Sequence, residues 1–331
     1  MADTINGITY PLAWDQVGEK LYETGTDRGV VYPYDSSAKA YGNGVNWNGL
    51  TGFTDSPSGA DETALWADNM KYVAMRAAEE YGGTITAYTY PDAFAECDGS
   101  AVLENTGISF GQQKRKTFGF SCRTLVGNDT ELNDYGYKIH LVWGATVSPS
   151  DKDYATVNDS PDAIEFSWEF TTTPTAVGTA YKPTAHMTLD TSKMDQTAKG
   201  HLTELEAILY GTASGGLLVM TGSDEPAQWP DDATPSTKYF KLTGCTSSDS
   251  YVTNTFYKAS GNGTYIKVTG SQPEDWPSTA AASTTYFKAT GVTSSDVYAA
   301  NTYYEAGPTP ARLPSPAEVI TLFGGSPNVA G

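Results

Sequence analysis

Three histidines, three cysteines and twenty basic residues are thin resources for a chain of 331 residues, and each shortage removes a class of function. Cys97, Cys122 and Cys245 are odd in number and widely spaced, with no CxxC pair, which argues against a disulfide framework and a thiolate zinc site. They read as ordinary thiols of a protein assembled in a reducing cytosol. The histidines, His140, His186 and His201, fall in no HExxH pattern and no local Ser–His–Asp arrangement. No catalytic residue, cofactor-binding residue or metal ligand is therefore assigned. His140 falls on the strand face opposite Leu141, His186 reads as linker and His201 as helix. Lysine and arginine are outnumbered by 39 acids, giving a net charge of −19 and a pI near 4.4. Binding to a phosphate backbone needs clustered cations, so specific nucleic-acid binding is not expected. No apolar run approaches the roughly 18 residues of a membrane span. The first residues, MADTINGITYPLAWDQ, carry acids where a secretory leader has a basic and then an apolar stretch. A soluble chain without a cleaved leader is expected, with no membrane partner.

Tyrosine, threonine and glycine are plentiful, and they favour strands and turns. In IEFSWEF, Ile164, Phe166, Trp168 and Phe170 alternate with polar residues, the period of a half-buried strand. Tyr137, Ile139, Leu141 and Trp143 share one face of a second strand, as do Phe118, Phe120 and Cys122 of a third. GTITAYTYP and KYVAMRA supply two more. Helices are few. Leu202, Leu205, Ile208 and Leu209 form an apolar stripe before Gly211, and Ser315, Pro316 and Glu318 spell a capping box before LFGG. PDAFAECDG predicts about two further turns. The fold class expected is mainly β: an antiparallel β-sandwich or barrel with short flanking helices, plus a small inserted all-β repeat domain.

The insert announces itself by repetition. YFKLTGCTSSDSYVTNTFYKAS, residues 239–260, recurs 47 positions later as YFKATGVTSSDVYAANTYYEAG, residues 286–307, without a gap. Trp229-Pro230 and Trp276-Pro277 begin the two copies, and YIKVTG, residues 265–270, reads as a further relative of the YFKLTG strand. Two copies are too few for a solenoid or propeller, so a small module of paired units is expected. Hairpin core is the plain reading of its aromatics.

Other motifs resolve without chemistry. GNGVNWNG lacks the Lys-Ser/Thr ending of a phosphate loop, and the acids of DETALWADN and GNDTELNDYG do not fit a calcium loop. Lys114, Arg115 and Lys116 are a lone basic run, either a pairing site for an acidic neighbour or a strand-edge gatekeeper. Thr54–Asn69 is read as a loop too long for a tight hairpin.

The runs VGEKLYETGTDRGVVYPYD, GVNWNGLTGFTDSPSGADETALWADNMKYV, EEYGGTITAYTYPDAFAECDG, FGQQKRKTFGFSCRTLVGND and YATVNDSPDAIEFSWEFTTTP, in that order, resemble the major tail tube protein of long-tailed phages of Gram-positive bacteria. The resemblance covers about residues 14–211 and resumes at Leu313. It implies a non-enzymatic structural virion protein, assembled in the host bacterial cytoplasm, whose β-sandwich subunits form hexameric rings that stack into a tail tube. DNA would pass the lumen without specific binding, and an acidic wall would repel it. Self-contacts, a tape measure protein and a tail terminator are the partners implied, with no cofactor. Domains are placed at residues 1–212 (tube body), 213–308 (inserted β-repeat domain, expected on the tube exterior) and 309–331 (C-terminal helix and tail of the body). Leu65, Trp66, Lys114, Arg115 and Lys116 are the candidate inter-subunit contacts. The alternative is a surface adhesin or decoration protein, whose exterior aromatics Trp229, Trp276, Tyr251 and Tyr298 would bind host-surface glycans.

Overall fold

A computed structural model describes all residues except 1–2, 6–7, 11–13, 104–105, 151, 155, 157–158, 160–161, 262–263 and 329–331. The N-terminal run MADTINGITYPLAWDQ lies partly outside them. The chain is mainly β, and it divides into two compact units, residues 1–209 with 312–331, and Tyr210–Ala311.

The first unit begins with a ribbon of β1 (Asp3–Ile5) and β2 (Ile8–Tyr10), followed by β3 (Tyr22–Asp35), β4 (Ala40–Tyr41), β5 (Val45–Trp47) and β6 (Leu50–Asp55). Next come β7 (Ser58–Gly59), β8 (Glu62–Ala67), β9 (Met70–Arg76), β10 (Glu79–Glu80), β11 (Gly82–Ala87) and helix α1 (Asp92–Ala95). A second ribbon, β12 (Ala101–Leu103) with β13 (Ile108–Phe110), precedes the long strands β14 (Phe118–Asn128) and β15 (Leu132–Val147). β16 (Phe166–Thr172), β17 (His186–Asp190), α2 (Gln196–Tyr210) and, after the second unit, α3 (Pro316–Leu322) complete it.

Nine of these strands form one antiparallel sheet along the path β4-β3-β14-β15-β16-β11-β6, with β5 on β3 and β17 on β15. The sheet curls until its ends approach. A Cβ on Gly29 of β3 would meet Leu50 of β6 at 3.1 Å and Trp47 at 3.3 Å, so glycine permits the close passage. Inside lie Val31, Trp47, Ile85, Phe118, Phe120, Cys122, Val142, Trp168 and Phe170, with Phe94 of α1 wedged among their rings. Trp47 and Phe94 stand 4.4 Å apart by ring centroid and Phe94 and Trp168 5.3 Å apart, the tilted and edge-on contacts that aromatic quadrupoles favour.

Alternation predicts strands buried on one face, but β15 is buried on both between Ile139 and Trp143. The reason is a second cover. Tyr32 donates its hydroxyl to the carbonyl of Leu209 in α2, and Trp143 donates its indole N–H to the carbonyl of Pro314, just before α3. α3 starts with the expected capping box, its Ser315 hydroxyl accepting from Glu318 N–H and the Glu318 carboxylate accepting from Ser315 N–H. α1 is shorter than its sequence predicts, four residues followed by turns that end at Gly99 with φ +77°.

The second unit is a closed barrel of β18 (Thr212–Val219), β19 (Tyr239–Gly244), β20 (Phe256–Gly261), β21 (Thr264–Lys267), β22 (Tyr286–Gly291) and β23 (Tyr304–Thr309), in the order β18-β21-β20-β22-β19-β23. The repeat makes it two-fold. Leu242 pairs with Ala289, its own counterpart 47 residues on, so a pseudo-dyad runs through the β19–β22 ladder. Tyr239 pairs with Glu305, and by the same offset Lys258 pairs with Tyr286. Each copy gives β strands to the other's neighbours, and neither closes by itself. YIKVTG is not the counterpart of YFKLTG as its sequence suggests. It forms β21, and its equivalent is LLVMTG of β18 and the residues after it: Met220 N–H donates to the Tyr303 carbonyl at 3.0 Å, and Val268 N–H to that of Phe256 at 2.7 Å. The mistake is physical in origin, because both strands share a Thr-Gly ending and an apolar period.

Candidate functional site

Between β6 and β11 the chain leaves the curled sheet as an antiparallel arm. β7 pairs with β10, and β8 pairs with β9 from Glu62↔Arg76 to Ala67↔Met70. The expected loop at Thr54–Asn69 is therefore strand and turn. Asp68 and Asn69 hold φ at +51° and +62°, the two left-handed residues of a type I′ hairpin turn, which matches the twist of its strands. Asp-Asn is a weaker hairpin signal than Asn-Gly, which is why the sequence reads as loop.

The arm holds large apolar side chains in solvent beside its charged ones. Trp66 is 70% exposed and Tyr72 72% exposed, and Leu65, Met70, Val73 and Met75 are exposed as well. A register shift at Tyr72 interrupts the alternation of β9: the pairings Leu65↔Val73, Thr63↔Met75 and Ala67↔Met70 put Val73, Met75 and Met70 on the face of Leu65, and Trp66 stands on the other, so both faces carry large apolar side chains. Lys71 and Arg76 of β9 both pair with Glu62 of β8, charge satisfied within the hairpin. A two-stranded ribbon is marginal alone in water, and apolar patches of this kind mark association surfaces.

The basic run lies in coil immediately before β14, outside any strand, so the gatekeeper role does not apply to it. Lys116 pairs with Glu96 and donates its backbone N–H to the Glu96 carbonyl at 3.1 Å, and the Glu96 hydrogen bond holds its ammonium above the usual lysine range. Arg115 is half-buried against Gly99, and Lys114 is exposed. The structure thus brings Leu65 and Trp66 together on the arm, and Lys114–Lys116 belong to a different stretch that is partly spent within the subunit.

The four aromatics of the repeats pack in two equivalent clusters of the barrel. Trp229 lies against Tyr239, Tyr298 and Tyr303 at 5.5, 5.3 and 5.0 Å, and donates its indole N–H to the Asp296 carbonyl. Trp276 lies against Tyr251, Phe256 and Tyr286 at 5.1, 5.0 and 5.1 Å, and donates to the Asp249 carbonyl. Each tryptophan thus locks onto the TSSD turn of the other copy. All four rings are half-buried, with their polar atoms turned to backbone.

The cysteines are buried and unpaired. Burial pushes the Cys97 thiol up to about 12 and Cys245 to about 11, which leaves both protonated and inert near neutrality. An open cleft of about 620 Å³ lies between the start of β15 and α2, but its Arg123 is committed to Asp27 at 2.7 Å. The histidines are the residues that sequence reasoning undervalued. His186 opens strand β17 instead of lying in a linker, and it meets His140 and Asp55, partners 46 and 131 residues away along the chain. No short motif spans such distances. His201 is in α2, as expected. Neither a protein-family model nor a curated protein sequence matches this chain.

Proposed function

We propose that this protein is a structural subunit that polymerises through its β8–β9 arm, and that its assembly is a phage tail tube of stacked rings through which DNA passes. The exposed apolar arm carries the reading. Six large apolar side chains that the hairpin leaves 42–72% exposed gain roughly half of the 1.5–3 kcal/mol of a full burial each, which favours association between copies of the chain. Apolar groups on both faces of the arm suit insertion between two neighbours, as a ring stack requires. The ordered tail-tube motifs supply the type of assembly, and with it the tape measure and terminator proteins as partners and the virion as the location. The curled antiparallel sheet is compatible with a subunit of that kind. The adhesin alternative has weaker support, because Trp229, Trp276, Tyr251 and Tyr298 already serve the barrel's own packing.

Negative-stain microscopy and light scattering of the concentrated full-length protein test the proposal. The native chain should form rings or tubes, and Leu65→Ala/Trp66→Ala should stay monomeric with an unchanged circular dichroism spectrum. Normal tubes from the double variant would refute the arm as the contact, and persistent monomers of the native chain, even with a tail initiator added, would refute the tube.

A further inference from the structure

At the root of the arm, three side chains from three strands converge. Asp55 ends β6, His140 lies in β15 and His186 opens β17, and one ligand atom from each lies within 4.8 Å of the others. The β15–β17 register pairs His140 with Thr188 and Val142 with His186, so the two imidazoles are diagonal neighbours on one face. Their rings are parallel to within 5°, and His140 Nδ1 stands 3.4 Å from His186 Nε2. Two nitrogens each about 2.0–2.1 Å from a tetrahedral ion are separated by about that distance.

The hydrogen bonds decide which nitrogen carries the lone pair. Thr124 donates its hydroxyl to Glu23 Oε1 at 2.7 Å, which commits its only hydrogen. Thr124 Oγ1, 3.0 Å from His140 Nε2, must then accept, so Nε2 is protonated. Neutral His140 consequently presents an unprotonated Nδ1 to His186. Burial holds both imidazoles below the ordinary histidine range, which favours their neutral form. The Glu23–Thr124–His140 relay is the outer support that metal-binding histidines characteristically have. Tyr81 orients the third group by donating its hydroxyl to Asp55, and its ring stacks on His186 at 4.5 Å. Asp55 is exposed, His186 half-buried and His140 buried, which gives an ion a way in from solvent.

We infer that Asp55, His140 and His186 form a binding site for a divalent transition-metal ion of the zinc or cobalt type. Two imidazoles and one carboxylate are the borderline donor set that such ions prefer over calcium or magnesium, and three protein ligands leave a position for water. The bound ion clamps the arm. Asp55 and Tyr81 flank the two chain passages into it, which are already joined by the Ser56 N–H bond to the Gly82 carbonyl at 2.8 Å. An ion would tie that root to β15 and β17 across 85 and 131 residues of sequence. The inference rests on side-chain geometry and stands independently of the tube reading.

Titration calorimetry of the chelator-treated full-length chain with zinc alone, and with cobalt alone, tests it. One equivalent should bind, with slower amide exchange at Ser56 and Gly82. Asp55→Asn, at an exposed position, and His186→Gln should each weaken binding at least tenfold. Thr124→Val, which removes no ligand, should weaken it about ten- to hundredfold. His201→Gln, on α2, should bind as the native chain does. Absence of saturable binding by the native chain up to millimolar ion would overturn the site, and so would native affinity in both Asp55→Asn and His186→Gln.

Discussion

Replacing Trp276 by alanine probes whether the two repeats of the barrel stabilise one another. Full truncation of a buried tryptophan costs about 3–5 kcal/mol, and a half-buried ring roughly half of that. Loss of the indole bond to the Asp249 carbonyl adds about 1 kcal/mol. The expected cost is therefore about 3 kcal/mol, and the same for Trp229→Ala, because the pseudo-dyad gives that ring an equivalent set of neighbours. Hydrogen exchange read by mass spectrometry can localise the loss to strands. At about 1.4 kcal/mol per decade, amides of Tyr239–Gly244 and Tyr286–Gly291 should both exchange about a hundredfold faster in either variant, with Phe118–Asn128 unchanged. Both strands must respond, since Trp276 belongs to the second copy yet packs on Tyr251 and Phe256 of the first. The double variant, at about 6 kcal/mol, approaches the whole stability of a domain this size and should leave the barrel largely unfolded. Faster exchange confined to one copy would refute the reciprocal packing, as would a difference beyond tenfold between the two single variants.

Two further outcomes concern the barrel's acidic turns and the point where it leaves the first unit. Asp249 is held below the usual carboxylate range by Lys288 and by the Thr246 N–H, and Asp296 by the Thr293 N–H and by Lys241. A folded pKa below the unfolded one contributes stability above the unfolded value of about 3.9, lost as pH falls through the folded value. Barrel stability should thus be level from about pH 7 to 5 and decline below about pH 4; Asp249→Asn/Asp296→Asn should flatten that decline, and an unaltered acid profile would contradict it. Replacing residues 212–309 with a short Gly-Ser linker should leave the first unit folded, because Thr212 pairs with Thr309 and Arg312 N–H donates to the Ile208 carbonyl at 2.9 Å, so entry and exit are adjacent. Calorimetry checks this, and loss of the first unit's transition would show that it needs the barrel.

Much of the local structure was legible in the residues. Phe166, Trp168 and Phe170 alternate with exposed or half-exposed neighbours along β16 as their spacing dictates, Leu202, Leu205 and Leu209 bury one stripe of α2, and Ser315 caps α3. These features depend on a period of two or 3.6 residues, or on a side chain reaching a backbone group three positions away, and the chain carries that information in order. Contacts between distant segments carry no such signature. Alternation could not reveal that β15 is covered on both faces, since α2 and Pro314 come from residues far downstream. The repeat announced two equal copies, but only the barrel's closure decided that each tryptophan serves the other copy's turn. His140 and His186 looked like isolated histidines until the pairing of β15 with β17 set them diagonally, and the curl of the sheet brought Asp55 of β6 to meet them. Composition and period determined which pieces would form; register and sheet curvature, set by the burial of the whole core, decided which side chains would meet.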